Sequence, residues 1–116
     1  MHSQDFLGKL IRLEIDRPLG SRHPTYGYVY PLNYGFVRGH LSGDGEDLDA
    51  YVLGISHPLQ SFAGRCVAVI HRLNDNDDKL VIAPDGADFS NEQIREATHF
   101  QERFFESRIV RGRCPL

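Results

Sequence analysis

The apolar residues of this chain come in short runs closed by turn residues, and two of those turns are acidic. Asp44, Glu46, Asp47 and Asp49 crowd together directly before the apolar run Ala50-Tyr51-Val52-Leu53. Asn74-Asp75-Asn76-Asp77-Asp78-Lys79 also sits between two apolar runs. Short runs bounded by Gly, Pro, Asn and Asp specify strands. Two unit charges ~4 Å apart repel by ~1 kcal/mol in water and ~4 kcal/mol at an effective dielectric of ~20. Carboxylates planted beside buried strands are therefore either left in water or neutralised. A solvated loop is the plain reading of one such turn. Two turns can meet at one end of a sheet, and oxygen-only ligands at this density suit a hard cation such as Mg²⁺, Mn²⁺ or Ca²⁺.

Taken in order, residues 7–15 read as a first strand, with Leu10, Arg12 and Glu14 on one face and Ile11, Leu13 and Ile15 on the other. Residues 16–21 form a turn. Residues 26–30 and 34–38 read as short strands interrupted by Pro31, and 39–45 as loop. Residues 47–53 form a strand with Leu48, Ala50 and Val52 toward the core. After a connection over 57–64, strands follow at 66–73 and 79–83, joined by the second acidic turn. Ser90 and Gln93 have the spacing of a capping box. Ile94, Ala97, Phe100 (or Gln101) and Phe104 recur at helical spacing, up to about Ser107. Residues 108–116 read as a frayed basic tail. Five or six short strands and one amphipathic helix make a mainly β (α+β) fold, a small barrel with a C-terminal helix against it.

The 116 residues suit one domain, 1–116, and the 41% hydrophobic fraction supports a modest core. A formal net charge of -3 argues against a general nucleic-acid binder. No run reaches membrane-spanning length and no secretory leader is visible. Cys66 and Cys114 form no CxxC pair, so a reducing cytoplasm is the expected setting. The histidines form no HExxH pattern, and neither acidic turn has the glycine and glutamate positions of an EF-hand.

Tyr30-Pro31-Leu32-Asn33-Tyr34-Gly35, followed by Asp44-Gly45-Glu46-Asp47-Leu48-Asp49, resembles the signature region of soluble family I inorganic pyrophosphatases. That family carries a YPxNYGY-type stretch and then DGDPxD. The resemblance extends from about residue 30 to 105, and weakly to the first strand with Glu14. It implies an OB-like five-stranded barrel and Mg²⁺-dependent hydrolysis of pyrophosphate, with Mn²⁺ as a substitute metal. It also implies metal ligation by Asp44, Asp49 and Asp77, with Asp75 serving a further metal and Glu14 resembling a carboxylate of the metal shell. Tyr34, Arg22 and Lys79 would face the phosphates, Arg22 on spacing alone. Glu46 stands where the family has the Asp that directs the attacking water, and Asp47 where it has proline. Phe104-Phe105 replaces a Tyr-Lys pair, and the chain lacks most of the hairpin that supplies Lys and Glu after the first strand.

The chemistry fits those residue types. Two divalent ions ~3.5–4 Å apart clamp attacking and leaving oxygens. Arginine and lysine neutralise phosphates, and a carboxylate within hydrogen-bond reach takes the water's proton. Two other functions compete with phosphoanhydride hydrolysis. One is a non-catalytic OB-type module binding a phosphorylated ligand or a protein partner, which the missing basic residues favour. The other is base stacking on YGYVYPLNYGF, which the neighbouring carboxylates oppose. A homo-oligomer is compatible with every one of these readings.

Overall fold

A computed structural model describes residues 3–41, 47–73 and 77–112. Its strands are β1 (Leu10–Arg17), β2 (Asn33–Leu41), β3 (Asp47–Val52), β4 (Ser61–Arg72), β5 (Lys79–Ala83) and β6 (Ser107–Arg111). Among the described residues a single α-helix, α1 (Asn91–Glu102), lies between β5 and β6, and a 3₁₀ turn (Ser3–Phe6) precedes β1. The strand order β1-β2-β3-β5-β4 closes because β4 also pairs with β1. The result is the expected five-stranded barrel.

One long strand makes the closure possible. The start of β4 pairs with β1 from Ser61 to Arg65, and its later part pairs with β5 on one side and β6 on the other. β3 and β5 run parallel, since β4 intervenes between them in sequence; the other pairings are antiparallel.

Alternation sorts the side chains into two cores. Leu13, Leu48, Ala50, Val52, Val69, Leu80 and Ile82 fill the barrel. Tyr51, Ala68, Ile70 and Val81 point outward from the same strands and pack with Tyr30, Leu32 and Ile94 under α1. β5 is consequently buried on both faces. The expected capping box is present: Ser90 Oγ accepts from the Gln93 amide at 3.1 Å, and Gln93 Oε1 accepts from the Ser90 amide at 2.8 Å.

Two motif residues act as fasteners. A Cβ on Gly35 would stand 2.0 Å from the Glu14 carbonyl oxygen, so only glycine lets β2 press this closely on β1. Buried Asn33 accepts from the amides of Leu19 (2.9 Å) and Leu59 (3.0 Å) and donates to the His57 carbonyl (2.9 Å), tying three segments together.

Several boundaries differ from the sequence reading. β1 starts later and runs on through Asp16 and Arg17 with a bulge. Residues 26–30 form no strand; a lone bridge between Arg22 and Val29 holds a loop whose Gly27 has φ 76°. β2 continues into the stretch read as loop, and β4 begins at Ser61 within the stretch read as a connection. α1 stops at Glu102, and Phe104 is exposed instead of packing the helix onto the barrel. The supposed basic tail includes β6, because Ile109 and Val110 pack against the two cores on either side.

Candidate active site

Asp49 and Lys79 are register partners in the parallel ladder of β3 and β5, and both side chains leave the outer face of the barrel. Tyr34 reaches them from β2, where it stands opposite Tyr51. The Lys79 ammonium donates to Asp49 Oδ2 at 2.7 Å and to Asp77 Oδ2 at 2.7 Å. The Tyr34 hydroxyl donates to the same Asp49 oxygen at 2.8 Å. Burial, reinforced by the Asp49 charge, holds the Tyr34 hydroxyl well above the usual phenol range, so it stays a donor.

A second set of contacts joins this centre to the end of α1. Arg72 donates to Asp77 Oδ2 at 3.3 Å and grips Glu102 with two bonds of 3.1 and 2.8 Å. Burial works against the arginine charge, but the hydrogen bonds and charge of Glu102 outweigh it and hold Arg72 above the ordinary range. The Tyr51 hydroxyl donates to Glu102 at 2.6 Å and accepts from Gln101 Nε2 at 2.7 Å. Gln101 Oε1 in turn accepts from Tyr28 (2.7 Å) and Tyr30 (3.2 Å). Among the described residues no buried side-chain polar atom lacks a partner. A closed network of this kind is rigid, because each member fixes the next.

Above the network opens a cleft of about 360 Å³ lined by His23, Tyr26, Tyr28, Tyr34, Arg72, Lys79, Gln101, Phe104 and Phe105. Arg72 and Lys79, both ion-paired, lie at its floor, and aromatic rings lie at its mouth. The Arg72 guanidinium lies 3.6 Å from the centroid of Phe105, and Lys79 Nζ lies 5.7 Å from that of Tyr34.

The structure thus gathers Tyr34, Asp49, Asp77 and Lys79 from the sequence-derived set. Asp44, Glu46 and Asp75 lie outside the described residues. Glu14 stands two strands from Asp49 in the row Glu14-Phe36-Asp49, about 10 Å away by the ~4.8 Å strand spacing. Its carboxylate is engaged by Arg38 at 2.6 Å. Arg22 does not line the cleft; it donates to the Gly27 carbonyl at 3.1 Å and steadies the loop there.

Arg72, Gln101 and Glu102 are the site residues that sequence reasoning passed over. The available signal was a carboxylate at Glu102, one turn beyond Thr98 and two beyond Ile94, on the buried stripe of α1. A charge there needs a buried partner, and Arg72 at the end of an apolar strand supplies it.

Among the described residues no group of three or more His, Cys, Asp or Glu side chains gathers to hold a metal. The donor chemistry nevertheless suits a hard cation: two carboxylate oxygens already close on one positive charge. Among the described residues, Asp49, Asp77 and Glu102 are the carboxylates that pair with Arg72 and Lys79.

Comparison with known proteins bears on family and fold. The family model for inorganic pyrophosphatase matches residues 9–109. An inorganic pyrophosphatase of Streptomyces coelicolor is 36% identical over 95 residues, covering 78% of this chain and 55% of that protein. One of Campylobacter jejuni is 33% identical over 86 residues, covering 66% and 49%. The chain therefore spans about half the length of the curated relatives it matches. Among solved structures, the inorganic pyrophosphatase of Ehrlichia chaffeensis superposes with a TM-score of 0.67 at 22% identity, covering 87% of this chain and 84% of that one. That of Helicobacter pylori gives 0.66 at 22% identity, covering 96% and 88%. At this identity the structural likeness is one of fold.

Proposed function

We propose, on the premise that this chain belongs to the inorganic pyrophosphatase family, that it hydrolyses phosphoanhydrides, inorganic pyrophosphate among them, in the cleft above Asp49, Asp77 and Lys79. The observation that carries this reading is the pair of carboxylates closing on one cation at the floor of a cleft that Arg72 also lines.

In this reading Asp44, Asp49 and Asp77 would hold a divalent cation, Mg²⁺ or Mn²⁺, with Asp75 and Glu14 serving a second. When bound, such a cation lowers the pKa of water and offsets phosphate charge. Lys79 and Arg72 donate to phosphate oxygens, and Tyr34 orients Asp49 and keeps its proton. Arg22 acts through the loop it anchors. Glu46 takes a proton from the attacking water. The water oxygen bonds to phosphorus as the bridging P–O bond breaks, and two phosphates leave. A cytoplasmic setting belongs to the same reading, and buried, free Cys66 suits a reducing compartment.

The test is Glu46→Gln, which keeps size but removes the basic oxygen. Loss of a general base lowers kcat by about 10²–10⁴-fold, with Mg²⁺ affinity by calorimetry nearly unchanged. Equal rates in the two proteins would remove Glu46 from the role. One observation favours the alternative, a non-catalytic OB-type module: Lys79 already bonds both carboxylates. Phosphate release no faster with Mg²⁺ than without it would select that alternative.

A further inference from the structure

Bare pyrophosphate has no apolar surface to bury, yet the cleft opens through a rim of aromatic rings. Tyr26 is 73% exposed and Phe104 57% exposed, whereas the Arg72 and Lys79 side chains beneath them are 5% and 3% exposed. The Tyr26 and Phe104 rings lie 6.4 Å apart between centroids and within 29° of parallel. Tyr28 faces Phe104 at 6.5 Å and 23°. His23 supports both tyrosines, each at 4.9 Å.

This platform is built into the backbone. His23 Nδ1 accepts from the amides of Thr25 and Tyr26, each at 3.1 Å, and Arg22 clamps the Gly27 carbonyl. On the other side of the mouth, Arg103 lies 4.9 Å from the centroid of Phe104. The loop backbone held in this way, with His23 packed against both tyrosines, limits the conformational freedom that their rings lose when a flat ligand stacks on them. The cleft volume of about 360 Å³ falls in the ~300–1,000 Å³ range of organic-ligand sites.

We propose that the site takes a nucleoside diphosphate, its base against Tyr26 and Phe104 and its phosphates toward Arg72 and Lys79; this rests on the phosphoanhydride reading above. The water oxygen forms a bond to the terminal phosphorus as the bridging P–O bond breaks. The electron pair of that bond leaves with the nucleoside monophosphate, and the water's proton passes to solvent. Tyr26 and Phe104 set specificity and take no part in the bond changes.

The test measures the affinities of adenosine diphosphate and of pyrophosphate with Mg²⁺, read by calorimetry and by tyrosine fluorescence, since the chain has no tryptophan. Adenosine diphosphate binds the more tightly. Tyr26→Leu, at an exposed position that does not endanger folding, reduces that advantage by about 5- to 150-fold, the loss of one base–aromatic stack. Equal affinities in the wild type, or an advantage that survives Tyr26→Leu, would overturn the proposal. Phosphate release measured alongside keeps the two claims apart. Release from neither compound ends the hydrolytic reading, while the affinities still decide whether a nucleotide is the ligand.

Discussion

Lys79 stands directly opposite Asp49 in the parallel ladder, and its ammonium closes to 2.7 Å on that carboxylate while bonding Asp77 at the same distance. Removing the cation leaves two carboxylates facing each other with reduced access to water. Lys79→Met keeps most of the packing and destabilises the fold by about 3 kcal/mol, the low end for breaking a buried pair, because both aspartates keep some solvent. Urea unfolding measures the loss. Mg²⁺ raises the midpoint of the variant more than that of the wild type, since the vacated position still attracts a cation.

Tyr34 contributes one hydrogen bond to Asp49 and a ring to the core under α1. Tyr34→Phe removes the bond and keeps the ring. Bonds to charged groups contribute about 1.5–3 kcal/mol, and the partly solvated Asp49 places this one near the lower figure. A urea midpoint equal to wild type would show that the bond contributes nothing net.

Glu102 neutralises Arg72 at the end of α1 and also accepts from Tyr51. Glu102→Ala removes two bonds from a buried guanidinium that keeps its contact with Asp77, and costs about 3 kcal/mol, the low end for breaking a buried pair. Tyrosine fluorescence changes with it, as the Tyr51 hydroxyl loses the carboxylate it donates to. A loss below about 1 kcal/mol, the value of a surface ion pair, would mean that Arg72 finds water instead.

Barrel closure was legible in the sequence because it depends on alternation: Ile11 and Leu13, or Leu48, Ala50 and Val52, can face only one interior. The convergence of Asp49, Asp77, Lys79 and Tyr34 was legible through motif order. The Arg72–Glu102 pair was not, since its members are thirty positions apart and meet only where α1 crosses the end of β4. The loop at residues 22–29 was misread for a local reason. Its tyrosines have strand propensity, but Gly27 at positive φ and the His23 ring capturing two amides turn the chain instead. β6 was hidden by its arginines, which flank the two apolar residues that dock it.

Alkaline stability tests the buried donors. Burial pushes the Cys66 thiol up to about 12 and carries the Tyr30, Tyr34 and Tyr51 hydroxyls above the usual phenol range. The folded protein therefore keeps protons that the unfolded chain releases near 9.0 for the thiol and 10.0 for the phenols. The unfolded state binds fewer protons there, so stability is full below about pH 9 and falls as pH rises. Each group removes up to about 1.4 kcal/mol per pH unit above its unfolded pKa. Urea midpoints from about pH 8 to about pH 11 show the decline, and Cys66→Ala makes it shallower at its onset.

Phosphate release from pyrophosphate by the wild-type chain, with Mg²⁺ and with the metal chelated, tests the central claim most directly. The account predicts Mg²⁺-dependent release that Asp49→Asn, which removes one cation-binding charge without changing size, lowers at least ~10²-fold. Release at the same rate in Asp49→Asn, or no release above the chelated control, would contradict it.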